Sequence, residues 1–133
     1  MSPEARTELE ATPSSAAEAR AFVGQLLAAW DCDDERDVAV LLTSELVSKA
    51  VRHAATRLAL EVRVDPEVDV LRIAVRDENG QLPVRREPEV DATGGRGIFL
   101  VDTLARRWGA DVEDRGKVVW FELGAGRRRG PHS

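Results

Sequence analysis

Leu58-Ala59-Leu60-Glu61-Val62-Arg63-Val64 alternates apolar with polar side chains, the period-two pattern of a strand half exposed on one face. Asp65-Pro66-Glu67 breaks the pattern, and Val68-Asp69-Val70-Leu71-Arg72-Ile73-Ala74-Val75 resumes it. Two strands joined so tightly form an antiparallel hairpin, because a parallel pair needs a long crossover between its members. The hairpin therefore selects the fold class, and the rest of the chain is placed around it.

Upstream the period changes. Ala19, Phe22, Val23, Leu26, Leu27 and Trp30 recur at three- and four-residue intervals, as do Val38, Leu41, Leu42, Leu46, Ala50 and Ala54. The first run predicts a helix opened by a capping box between Ser15 and Glu18. The second predicts a helix from Glu35 to His53, entered through the acidic break Asp31 to Asp37, where Cys32 is expected to be exposed. A short strand is expected at Arg6 to Glu10. Downstream, Asp77 to Gly95 is interrupted by Gly80, Pro83 and Pro88 and reads as a long loop. A helical stripe returns from Gly97 through Ile98, Leu100, Val101 and Leu104 to Trp108. Two final strands, Ala110 to Glu113 and Lys117 to Leu123, are joined by Asp114-Arg115-Gly116. Helices grouped between antiparallel hairpins predict an α+β two-layer sandwich, mostly antiparallel, with the helices on one face. Strict βαβ alternation is missing, which argues against a doubly wound parallel sheet.

Composition narrows the function classes. A chain of 133 residues has the size of one domain, and 43% hydrophobic with 32% charged residues fits a globular protein. The longest uncharged stretch, Ala21 to Trp30, is ten residues, far short of a membrane span. No secretory signal is expected from an opening of Ser2-Pro3-Glu4. With a single cysteine and no Cys/His cluster, neither a disulfide framework nor a zinc module is expected, and the cytoplasm is the expected compartment. A net charge of −5 argues against nucleic acid as a direct partner.

Three features carry candidate chemistry. Glu45, Lys49 and His53 are four residues apart and share one helix face, set apart from the apolar stripe. Taken alone, that face is an ordinary solvated edge. Asp77 ends a strand and leads into Glu78-Asn79-Gly80, which alone is a turn. Gly94-Gly95-Arg96-Gly97 opens a helix, and a helix N-terminus with free backbone N–H groups suits a phosphate.

In this order and separation the three features resemble the GHKL superfamily, whose Bergerat ATP-binding fold is shared by gyrase and histidine kinases. The similarity is closer to the small anti-sigma-factor serine/threonine kinases of bacteria and their actinobacterial relatives. It is carried by Leu41-Leu42-Thr43-Ser44-Glu45-Leu46-Val47-Ser48-Lys49-Ala50-Val51-Arg52-His53-Ala54 and Val75-Arg76-Asp77. Gly94-Gly95-Arg96-Gly97-Ile98-Phe99-Leu100-Val101-Asp102 and Gly116-Lys117-Val118-Val119-Trp120-Phe121-Glu122-Leu123 extend it. The resemblance implies a histidine kinase-like ATPase domain at 9–123, and outside it a flexible N-terminus at 1–8 and a disordered basic tail at 124–133 are expected. It implies Glu45 as general base and Asp77 as acceptor of the adenine amine. Gly95, Arg96 and Gly97 would hold the phosphates of ATP, with Lys49, His53 and Gly80 completing the site and residues 81–93 acting as lid. The implied partners are a sigma factor, a STAS-domain anti-anti-sigma protein and a second copy of the chain as homodimer, with no membrane involved. The implied role is transcription regulation by binding such partners, with a degenerate or metal-independent ATP site. The alternative is an active kinase that phosphorylates an anti-anti-sigma factor.

The departures from the family pattern concern the site. Lys49 stands where relatives carry an asparagine that coordinates magnesium; an ammonium has three donors and no acceptor, so no metal ligand is expected there. Two arrangements are open: the ammonium contacts the phosphates itself, or it turns back onto Glu45 and blunts that carboxylate as a base. The family's Asp-x-Gly-x-Gly is replaced by Asp77-Glu78-Asn79-Gly80-Gln81, and Lys117-Val118 lacks the hydroxyl that in relatives helps fix the adenine. Trp30, Trp108 and Trp120 are expected to be packing residues, the first two closing helical stripes.

Overall fold

The structure, a computed structural model, describes residues 2–54, 56–78 and 100–126. Strand β1 (Glu4–Leu9) is followed by helices α1 (Ser15–Ala29) and α2 (Arg36–His53), then by β2 (Leu58–Asp65), β3 (Val70–Asp77), β4 (Arg107–Glu113) and β5 (Gly116–Gly124). Residues 100–104 are also helical. The strands form one five-stranded sheet in the order β1-β2-β3-β5-β4, and every neighbouring pair is antiparallel. The two-layer α+β architecture and both hairpins are as the sequence patterns predict.

Alternation decides what the sheet buries. Leu58, Leu60, Val62 and Val64 of β2, Leu71, Ile73 and Val75 of β3, and Phe121 and Leu123 of β5 point to one face and are buried. Ala19, Val23 and Leu27 of α1, Ala39, Leu42, Leu46 and Val47 of α2, and Val101 cover them in one continuous core. Each fully buried Leu, Ile, Val or Phe side chain contributes about 1.5–3 kcal/mol on leaving water. The opposite face of the sheet holds ion pairs instead. Arg76 bridges Glu61 at 2.6 Å and Glu113 at 2.9 Å, and Arg72 pairs with Glu122 at 3.0 Å. Trp120 lies flat on that face, with the Arg72 guanidinium 3.9 Å above its ring centroid and Gly109 against it. A side chain on Gly109 would collide with the indole.

Several local expectations are corrected. β1 begins at Glu4 and pairs with β2 through Glu4↔Arg63 to Leu9↔Leu58, so residues 4–8 belong to the sheet and not to a loose N-terminus. Gly124 closes β5 and Ala125 is buried, its N–H bonded to the carbonyl of Asp69 at 2.9 Å; the tail from residue 127 lies outside the described residues. The Ser15–Glu18 capping box does not form. Helix α1 starts one residue earlier than that box requires, and the Ser15 hydroxyl is buried and donates to the carbonyl of Glu10. Cys32 is buried rather than exposed, because its N–H bonds back to the carbonyl of Leu27 at 2.8 Å and folds the corner inward. Trp108 belongs to β4, opposite Phe121, and not to a helical stripe: helicity ends at residue 104 and Arg106 already bonds to Glu122.

Candidate functional site

Asp77 follows Leu71, Ile73 and Val75 on the helix-facing side of β3, so its carboxylate belongs to the covered face although it is charged. Only 5% of its side chain is exposed. Burial of a carboxylate is tolerated where the charge is answered, and here Lys117 answers it. The two residues stand directly opposite each other in the β3–β5 ladder. The Lys117 Nζ lies 2.9 Å from Asp77 Oδ2, and the backbone N–H of Lys117 donates to Oδ1 at 3.4 Å. Gly116 makes this approach possible, since a Cβ there would drive into the backbone carbonyl of Asp77.

The same end of the molecule receives the C-terminal end of α2. Helix α2 ends at His53, a short connection leads to Leu58, and Leu58 is the residue of β2 that pairs with Asp77. Glu45, Lys49 and His53 flank the buried stripe of Ala39, Leu42, Leu46 and Val47, with Glu45 and Lys49 half-buried and His53 exposed. Thr43, buried beside them, spends its hydroxyl within the helix on the carbonyl of Ala39 at 2.8 Å. The positions expected to touch a nucleotide thus divide into two groups. Lys49, His53 and Asp77, with the expected base Glu45, sit on α2 and β3, whereas Gly80, Gly95, Arg96 and Gly97 and the lid residues 81–93 lie outside the described residues.

Around the sheet end, a groove of about 590 Å³ is lined by Arg6, Arg57, Arg76 and Arg115 together with Glu8, Glu78, Glu113 and Asp77. Four guanidiniums stand against four carboxylates there, so the groove offers no excess positive charge for an anion. Arg76 is held in its charged state by its hydrogen bonds to Glu113, which keep its pKa raised, and in return Arg76 keeps the Glu113 carboxyl below the ordinary carboxylate range. These ion pairs are outer-face structure. Among the described residues no group of three or more His, Cys, Asp or Glu could hold a metal ion.

A family model described as the histidine kinase-like ATPase domain matches residues 9–123. The chain belongs to that family. The fold has solved counterparts. The RsbU and RsbW domains of Rv1364c from Mycobacterium tuberculosis superpose with a TM-score of 0.71 at 19% identity, over 92% of this chain and 32% of that one. The histidine kinase domain of the blue-light activated histidine kinase of Erythrobacter litoralis superposes with a TM-score of 0.53 at 17% identity, over 80% of this chain and 61% of that one. The chain therefore spans about a third of the first protein's length and under two thirds of the second's. No curated protein matches the sequence. No helix among the described residues is long and apolar enough to cross a membrane.

One partner of Asp77 is not evident from the sequence. There Lys117 stands out for the hydroxyl it lacks, not for the carboxylate it holds. The signal was present in principle: Asp77 closes one strand and Lys117 opens another, so an antiparallel pairing of the two would bring opposite charges face to face. Which strands pair, and in what register, had to be known first.

Proposed function

We propose that this member of the family is an anti-sigma-factor-like regulator that acts by binding a sigma factor, a STAS-domain anti-anti-sigma protein or both, and whose ATP site is degenerate or independent of metal. The observation that carries the reading is Lys49. It lies half-buried one turn beyond Glu45 on α2, where relatives of the anti-sigma kinase type present an asparagine to magnesium. An ammonium repels a divalent cation and has no lone pair to give it. Phosphoryl transfer depends on a metal that bridges and neutralises the phosphates. Residues suited to hold a magnesium ion are thus missing at the position that matters, and no catalytic step is assigned to one. Glu45 would be the base that takes a proton from a substrate hydroxyl, and Lys49, its i+4 neighbour on α2, would compete for that carboxylate. The fold likeness to a chain that carries an RsbW domain supports a regulatory role, as does the histidine kinase-like ATPase family itself.

Calorimetric titration with ATP, with and without magnesium, tests the reading. The expected result is an ATP affinity of the parent chain, strong or undetectable, that magnesium does not change, and a magnesium-dependent affinity in Lys49→Asn. Magnesium-dependent binding by the unaltered chain, together with serine phosphorylation of a STAS protein, would establish an ordinary kinase instead. Failure to recover either a sigma factor or a STAS protein with the tagged chain from its host would remove the partner assignment.

A further inference from the structure

We infer that Lys117 is the residue that decides whether a nucleobase is admitted: its ammonium is the resident donor on the Asp77 carboxylate, and an adenine amine must displace it or share its acceptor. The inference rests on the reading of Asp77 as the floor of a nucleotide site.

The pairing is built into the sheet. Asp77 and Lys117 are register partners, and residues directly opposite in an antiparallel pair have Cβ atoms only about 5 Å apart. The start of β5 is pressed against the backbone of Asp77 and Glu78 at Gly116, where no Cβ fits, so the partners cannot slide past one another. The ion pair at 2.9 Å follows from that register, and the backbone N–H of Lys117 occupies the second oxygen.

Burial makes the occupancy consequential. Side-chain exposure is 5% for Asp77 and 23% for Lys117, so water and salt screen this pair less than the outer-face pair of Arg76 with Glu113, at 33% and 38%. A hydrogen bond from a charged donor is roughly twice as strong as one from a neutral donor, and the amine of a nucleobase is neutral. In competition for one buried carboxylate, the tethered ammonium prevails over the untethered amine. A threonine at this position would leave the carboxylate to the ligand and offer a hydroxyl beside it. Lysine closes the same acceptor from within. The consequence is a floor that weakens adenine binding until the lysine moves.

The test is titration of the full chain with a ribose-labelled fluorescent ATP, with unlabelled ATP as competitor, using the parent, Lys117→Thr, Lys117→Gln and Lys117→Arg. Each is made both alone and combined with Lys49→Asn, and cooperative thermal unfolding certifies the fold. Lys117→Gln keeps a long side chain with a neutral donor, so it serves if Lys117→Thr is unstable. We expect Lys117→Thr and Lys117→Gln to tighten binding about tenfold or more, with Lys117→Arg unchanged because the cation is retained. Parent affinity equal to that of Lys117→Thr overturns the inference and leaves the nucleotide site standing. So does a loss of affinity in Lys117→Thr, which would make Lys117 a donor to the bound base. Absence of binding in every folded chain would defeat the nucleotide site itself, and the inference with it.

Discussion

Gly116 shows how little room the site has. A methyl group on its Cα would meet the carbonyl of Asp77 and lie 3.0 Å from the Cα of Glu78, so the strand would have to shift. Gly116→Ala is expected to cost about 1–3 kcal/mol, the usual penalty of overpacking, read from the urea midpoint. A stability within 0.5 kcal/mol of the parent, on the order of ordinary surface changes, would show that β5 is not held there. Lys49 and Asp77 were legible as candidate residues because helix spacing and strand ends are local features. The bond between Asp77 and Lys117 was not legible, since forty positions separate them in the chain and only the ladder joins them.

Among the elements, β3 and β5 form the seam that joins the two hairpins into one sheet. Arg76 on β3 reaches across that seam to Glu113 on β4 with two hydrogen bonds, at 2.9 and 3.1 Å. Because Arg76 holds the Glu113 carboxyl below its ordinary range, the stabilisation is fully present above the unfolded carboxylate's pKa. It is lost as the pH falls through the lower, folded value. Arg76, pushed upward, keeps its charge throughout this range. Glu113 is largely exposed, so screening limits the pair to about 0.2–1 kcal/mol. Glu113→Gln should therefore destabilise the chain by that amount near pH 7 and leave it unchanged in acid, once the pH has fallen below the lowered folded-state value, measured by chemical denaturation at each pH. An equal loss at both values would assign the effect to shape instead of charge. The elements themselves were readable from period two in β2 and β3 and from the three- and four-residue spacing in α2. Their ends were less so: the Ser15 hydroxyl turned to the carbonyl of Glu10, and Trp108 to the sheet.

Taken together, the described residues form a helical layer over a sheet, with one core cluster between them and a charged reverse face. Cys32 reports on that core, since the corner between α1 and α2 buries it to 1% exposure. A thiol reagent should label it at least about a thousandfold more slowly in native buffer than in denaturant, with protection lost at the unfolding midpoint. Labelling at the free-thiol rate under native conditions would mean that the corner opens without the core. The cysteine looked exposed in the sequence because its neighbours Asp31, Asp33 and Asp34 are polar. The helix end draws it inward through a hydrogen bond that no polarity pattern encodes.

Periodicity and spacing, which are properties of neighbours along the chain, predict the strands, the helices and the antiparallel class, while the family rests on the resemblance of the motifs and on the family model that matches residues 9–123. Contacts between distant segments depend on how the sheet is ordered, and that order follows from packing the whole core at once. Hence the place of Lys49 on α2 follows from its neighbours along the chain alone. That Lys117 faces a buried Asp77 emerged once β5 was laid beside β3.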